Sequence, residues 1–181
     1  MGLAILTPRT FFENITLITP DWMSERGFEG IITDLDDTLA PASQPLPGDE
    51  LTRWARQMRD AGVGVIVLSN NMDARVRKFC GALGVPYIAG AAKPLRGGYI
   101  KACELLGKPA GKVVFVGDQI FTDIWGANNA GIYTVGVRHM GSMNGPFITF
   151  KRLLERPLWA MFFRRLHKDG HKQTDHMKEV T

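Results

Sequence analysis

At 181 residues, 45% hydrophobic and 22% charged, the chain suits one domain with a short appendage and can build a sizeable core. Its two cysteines, Cys80 and Cys103, lie outside any C-x-x-C pair, which argues against a disulfide framework or a zinc site, and no run nears the ~20 apolar residues of a membrane-spanning helix. The net charge of +4 sits in the tail: residues 1–150 carry 14 Lys/Arg and 14 Asp/Glu, residues 151–181 carry 8 and 4, a balance unlike that of a nucleic-acid-binding domain.

The opening Met1–Leu6 is too short and uncharged to read as a secretory signal, so a cytoplasmic setting is expected. Residues 1–29 form a lead-in with one helix expected around Phe11–Leu17 and a second, short one beginning at Asp21. From Gly30 onward, short β-rich runs alternate with helical patterns. The strand candidates are Gly30–Asp34, Val63–Leu68, Val85–Ala89, Val113–Val116 and Tyr133–Val137, each a nearly continuous apolar run, as in strands covered on both faces. Between them, Leu51, Trp54, Ala55, Met58 and Ala61 recur at helical spacing, as do Val76, Phe79, Cys80 and Leu83, and then Ile100, Cys103, Leu105 and Leu106. Stop signals follow at Gly62, Gly84, Gly107 and Gly131. This order predicts an α/β fold: a Rossmann-like open parallel sheet of about five strands, with helices on both faces. Residues 1–141 are expected to form this one domain. Residues 142–181 are expected to form a basic amphipathic extension that ends in a frayed polar run over Asp169–Thr181.

In such a sheet, ligands bind beyond the carboxyl ends of the strands. There the chain offers Asp34-Leu35-Asp36-Asp37-Thr38-Leu39, then Ser69-Asn70-Asn71, then Lys93-Pro94, then Gly117-Asp118 with Asp123 beyond. A carboxylate can accept a phosphoryl group and split one displacement into two. Carboxylates gathered in one crevice need a hard cation, and Mg²⁺ is the usual one. A hydroxyl and amide near Ser69 and an ammonium at Lys93 suit the equatorial oxygens of a transferring phosphoryl group. Taken singly, each has a plainer reading: a calcium loop at Asp34, a helix start at Lys93-Pro94, helix caps at Asp118 and Asp123. The calcium loop fails because Leu39 stands where that loop needs Gly, and Asp37 reads as an ordinary turn residue. Only the order and spacing of the set point to one crevice.

The set resembles the four motifs of the haloacid dehalogenase superfamily over residues 30–138. The resemblance implies Asp34 as nucleophile and Asp36 as acid/base. It implies Ser69, Asn70 and Lys93 as the phosphate-binding residues. The metal would face Asp34, Asp118 and the Asp36 backbone carbonyl, with Asp123 in support. Thirty-four residues separate Asp34 from Ser69 and 23 separate Ser69 from Lys93, too few for a cap domain of ordinary size, so an open crevice is expected. The capless IIIA subfamily is the nearest match. Leu6-Thr7-Pro8, Ile18-Thr19-Pro20, Gly117-Asp118-Gln119 and Pro146-Phe147-Ile148-Thr149 are similar to its YqeG-type, phosphatidylglycerophosphatase-like branch, which commonly has Asn where this chain has Asp37.

The resemblance implies a Mg²⁺-dependent phosphomonoesterase with phosphatidylglycerophosphate as the leading substrate. The alternatives are a soluble sugar, histidinol or nucleotide phosphate, and a phosphoacceptor receiver domain. Asp36, two residues past the acceptor, disfavours the receiver, because hydrolysis needs an acid/base there. In the tail, Lys151-Arg152, Arg156 and Arg164-Arg165 bracket Leu158–Phe163. Two readings are open for 151–168: peripheral contact with an anionic membrane, or a terminal helix packed on the core, with Pro157 allowing a new helix to start.

Overall fold

The structure, a computed structural model, describes residues 3–141 and 146–168. Two compact units divide the chain, one ending at Ser142 and the other beginning at Met143.

The first unit is built on six parallel strands: β1 (Thr10–Phe12), β2 (Gly30–Thr33), β3 (Gly64–Leu68), β4 (Tyr87–Ile88), β5 (Val113–Gly117) and β6 (Tyr133–Val137), in the order β1-β6-β5-β2-β3-β4. From β2 the chain winds outward through β3 and β4, then returns to β5 on the other side of β2 and ends the sheet at β6, whose outer edge is covered by the earlier strand β1. The order therefore reverses at the end of β2, where doubly wound sheets open a crevice.

Alternate residues divide the core. Ile31, Val65, Val67, Val114, Val116, Val135 and Val137 face one layer, in which α1 (Pro20–Glu25), α2 (Asp49–Asp60) and α3 (Asp73–Leu83) contribute Trp22, Trp54, Met58, Val76 and Phe79. Ile32, Ile66, Leu68, Val113 and Phe115 face the other, against Tyr99, Ala102 and Cys103 of α4 (Arg96–Leu106) and Ala127 of α5 (Trp125–Asn129). Gly62, Gly84, Gly107 and Gly131 all take positive φ just past a helix, the conformation that stops a helix at least cost in glycine.

Three expectations need correction. The segment expected to be a helix around Phe11–Leu17 is instead strand β1 followed by a 3-10 turn at Ile15–Leu17. Thr10, Phe11 and Phe12 suit a pleated surface. They pair with Val135, Gly136 and Val137, and Phe12 packs edge-on against Trp22 at 5.4 Å, so the sheet has six strands rather than five. On α4 the buried face runs through Tyr99, Ala102 and Cys103, whereas Ile100 and Leu105 are exposed. Tyr99 decides that rotation, because its hydroxyl donates to the Thr122 carbonyl at 2.5 Å and its ring lies 5.2 Å from Phe115. The expected strand Val85–Ala89 contracts to β4, Tyr87–Ile88, since Pro86 has no N–H to extend the ladder.

In the second unit, α6 (Pro146–Lys168) runs through Pro157 without a break in assignment, so no new helix starts there. Along it, Trp159 stacks on Phe163 one turn later at 5.9 Å. No helix among the described residues is long and apolar enough to cross a membrane. The run expected to be frayed, Asp169–Thr181, lies outside the described residues.

Candidate active site

Register places the first groups. Thr33 pairs with Val67 on one side and Val116 on the other, so Asp34 lies level with Leu68 and Gly117, and one more residue brings Ser69 and Asp118. The Asp34 N–H still donates to the Val116 carbonyl at 3.0 Å, which fixes the backbone as it leaves the sheet. Asp34, Asp118 and Asp123 then gather ligand oxygens within 4.8 Å of one another, at exposures of 5%, 1% and 0%.

Asp123 comes from the π-helical turn Ile120–Ile124 that precedes α5. Its two oxygens accept from Lys93 Nζ at 2.8 Å and from the Gln119 N–H at 3.1 Å. Gly117 makes room for it, because a Cβ there would stand 2.6 Å from the Asp123 carboxylate. Lys93 Nζ also donates to Asp34 Oδ1 at 2.6 Å. The lysine backbone is held by Asn70, whose Oδ1 accepts from the Lys93 N–H at 2.7 Å and whose Nδ2 donates to the Lys93 carbonyl at 3.0 Å. Both ends of the Asn70 side chain are therefore used on Lys93, so this amide positions the phosphate ligand expected beside it. Ser69 is buried, and its Oγ accepts from the Asn71 N–H at 3.0 Å, leaving the hydroxyl proton to be donated elsewhere.

Asp36 points away from the three-carboxylate cluster. Its Oδ1 accepts from Arg75 Nε at 2.6 Å and its Oδ2 from Asn71 Nδ2 at 3.1 Å. Its carboxylate is not among the three that could hold a metal. Asp118 is aimed by Thr38 Oγ1, which donates to Oδ1 at 3.0 Å, and by His139 Nδ1, 2.9 Å from Oδ2. Asp37 is more than an ordinary turn residue. It takes a left-handed φ of 64°, its carboxylate accepts from the Ala42 N–H, and its carbonyl accepts from the Met140 N–H at 3.0 Å.

Sequence reasoning missed Arg75 and His139. An arginine early in a helix carries no signal of its own. His139 lies two residues past the end of β6, and extending the strand-end rule to the last strand would have found it.

Burial pushes the Asp34 carboxyl up to about 7; Lys93 opposes the shift, while Asp123 and Asp118 add to it. Asp123 is raised for the same first reason, burial, against the pull of Lys93. Burial alone would lower Lys93, but Asp123 and Asp34 more than reverse this and hold it charged. Three carboxylates facing one ammonium leave two negative charges in excess when all are ionised. An oxygen-only, doubly negative, buried cluster fits a hard divalent cation.

A carboxylate at the switch point of a parallel sheet, facing a buried lysine and two more carboxylates, is an arrangement suited to binding a phosphate ester beside a cation. The chain matches the haloacid dehalogenase-like hydrolases over residues 34–131 and belongs to that family. It is a phosphatase of the YqeG type: 36% identical over 160 residues to "Probable phosphatase YqeG" of Bacillus subtilis (strain 168), covering 88% of this chain and 93% of that one. It is also 26% identical to the chloroplastic phosphatidylglycerophosphate phosphatase 1 of Chlamydomonas reinhardtii, over 86% of this chain and 63% of that protein. Among solved structures, an uncharacterized protein from Listeria monocytogenes serotype 4b shares the fold at a TM-score of 0.51 and 18% identity, covering 66% of this chain and 85% of that one. Membership of a hydrolase family decides against the phosphoacceptor receiver reading.

Proposed function

We propose that the chain hydrolyses phosphomonoesters through an aspartyl-phosphate on Asp34, and that its substrate is an amphiphilic phosphate ester, with phosphatidylglycerophosphate first. The observation that carries the mechanism is the buried Asp34 carboxylate, 2.6 Å from Lys93 at the end of the central strand.

An Asp34 oxygen attacks phosphorus, forming the acyl phosphate as the ester P–O bond breaks. Asp36 gives its proton to the departing alcohol oxygen. It then takes a proton from water as that water attacks phosphorus, which releases inorganic phosphate and restores Asp34. Lys93 Nζ and the Ser69 hydroxyl donate to the phosphoryl oxygens, and Asn70 keeps Lys93 in place. Asp34, Asp118 and the Asp36 carbonyl would hold Mg²⁺, with Asp123 in support. The ion would supply positive charge for the phosphoryl oxygens.

Two exposed side chains support an amphiphilic substrate. Met72 (78% exposed) directly follows Asn71, and Leu95 (67% exposed) directly follows Pro94. Each sets bare apolar surface beside a phosphate-binding segment, where the alcohol part of a bound ester would lie. The similarity to a phosphatidylglycerophosphate phosphatase points the same way. Peripheral contact of 151–168 with an anionic surface remains part of this proposal.

The test is turnover of phosphatidylglycerophosphate in mixed micelles against soluble sugar, histidinol and nucleotide phosphates, with Mg²⁺. The lipid should give the highest kcat/KM, and Asp34→Asn should abolish turnover of every ester. Better turnover of a soluble phosphate would transfer the assignment to that class. Wild-type turnover by Asp34→Asn would overturn the mechanism.

A further inference from the structure

Arg75 spends its whole guanidinium on three targets. Nε donates to Asp36 Oδ1 at 2.6 Å, one terminal nitrogen to the Gln44 carbonyl at 2.9 Å, and the other to the Pro41 carbonyl at 3.2 Å. The third residue of α3 thus joins Asp36, three residues past the end of β2, to the 41–48 segment that leads into α2. Only arginine has the planar, permanently charged fork for this. Lysine has one nitrogen and cannot reach three divergent acceptors from a fixed plane.

The Asp36 carboxylate is gripped at both oxygens, by Arg75 on one and Asn71 on the other. Two such contacts fix its rotation about the Cβ–Cγ bond, and each oxygen keeps a further lone pair for a proton in flight. A general acid must meet the leaving oxygen at hydrogen-bond distance, and a misplacement of about 1 Å costs on the order of a hundredfold.

Resting on the reading of Asp36 as the acid/base, we infer that Arg75 is the positioning residue that aims the Asp36 carboxylate at the leaving-group oxygen. Arg75 acts on the ester only through Asp36, whose Oδ1 it holds. The proton passes from Asp36 to the alcohol as the P–O bond breaks, and Arg75 fixes where that proton stands. The competing role is a plain brace that only pins residues 41–44.

The test compares Arg75→Met with wild type on phenyl phosphate and p-nitrophenyl phosphate, both with Mg²⁺. Phenolate leaves poorly and depends on the acid; nitrophenolate leaves with little help. A positioning residue predicts a kcat on phenyl phosphate lowered by roughly 10–100-fold, a smaller fall on p-nitrophenyl phosphate, and KM within about threefold of wild type on both. Added guanidinium should restore part of the loss. In an Asp36→Asn background the same substitution should cost less than about threefold, because the group it aims is already gone. Should Arg75→Met fail to fold, Arg75→Lys carries the same comparison, with a smaller fall and the same bias between esters.

An equal fall on both esters that persists in the Asp36→Asn background would overturn the inference and leave the brace. So would wild-type turnover by Arg75→Met. Wild-type turnover by Asp36→Asn would overturn the acid/base reading beneath it, at Asp36 and not at Arg75.

Discussion

Lys93→Met isolates the electrostatics of the crevice. Lys93 is 6% exposed and lies 2.6 Å from Asp34 and 2.8 Å from Asp123, so its removal leaves two buried carboxylates without their cation. Breaking a buried pair from one side costs about 3–5 kcal/mol, most of it the burial of uncompensated charge. The cost is relieved by protonation. In the wild type Asp34 is raised from 3.8 to about 7, so across that window the folded state binds more protons than the unfolded state and stability falls as pH rises. Without Lys93 the pull opposing burial is gone, and the window extends upward. Each pH unit in it changes stability by about 1.4 kcal/mol for every carboxylate protonated only in the folded state. Metal-free Lys93→Met should therefore be destabilised by about 3–5 kcal/mol near pH 8 and by less than about 2 kcal/mol near pH 5. Urea unfolding followed by tryptophan fluorescence, with chelator present, reads this through the buried Trp22 and Trp54. Turnover with Mg²⁺ should fall by at least about a hundredfold. A loss independent of pH, or one below about 1 kcal/mol near pH 8, would refute the reasoning.

Gly117→Ala should crowd the Asp123 carboxylate, which a new Cβ would approach to 2.6 Å. The expected result is a loss of about 1–3 kcal/mol in urea unfolding and at least about a tenfold fall in kcat; wild-type values in both would show that Asp123 can stand elsewhere. Burial pushes the Cys80 thiol up to about 12 from 9.0, so the folded protein keeps it protonated and loses stability as pH climbs from the lower value toward the higher. In a Cys103→Ser background, a thiol reagent near pH 8 should label Cys80 only as fast as the chain unfolds; rapid labelling under native conditions would contradict its burial.

Much of the fold was legible because its central strands are buried on both faces, and apolar residues run unbroken over 65–68 and 113–116. The edge was not legible. β1 is three residues long and half-covered, and Phe11 to Leu17 reads equally well at helical spacing; only the pairing with β6 decides it. On α4 the apolar residues ring the helix, so the pattern could not choose a face, and the choice fell to a hydroxyl that needed the Thr122 carbonyl. The cluster Asp34, Asp118 and Asp123 was readable because strand ends in a parallel sheet converge whatever lies between them. Arg75 and Asn70 were not readable as positioning groups. Their partners are a distant carboxylate and backbone carbonyls, and nothing in residue type announces a bond to a backbone atom.

The Asn70 side chain bonds Lys93 at both N–H and carbonyl, as a neighbouring strand would, and so adds one rung beyond the place where β3 and β4 stop pairing. The lysine is thereby registered to the end of β3, as are Gly90 and Ala91 before it, whose N–H groups donate to the Asn71 and Ser69 carbonyls. Replacing the one amide at position 70 would remove both of these backbone anchors and leave Lys93 to be placed by its ammonium alone, through Asp34 and Asp123.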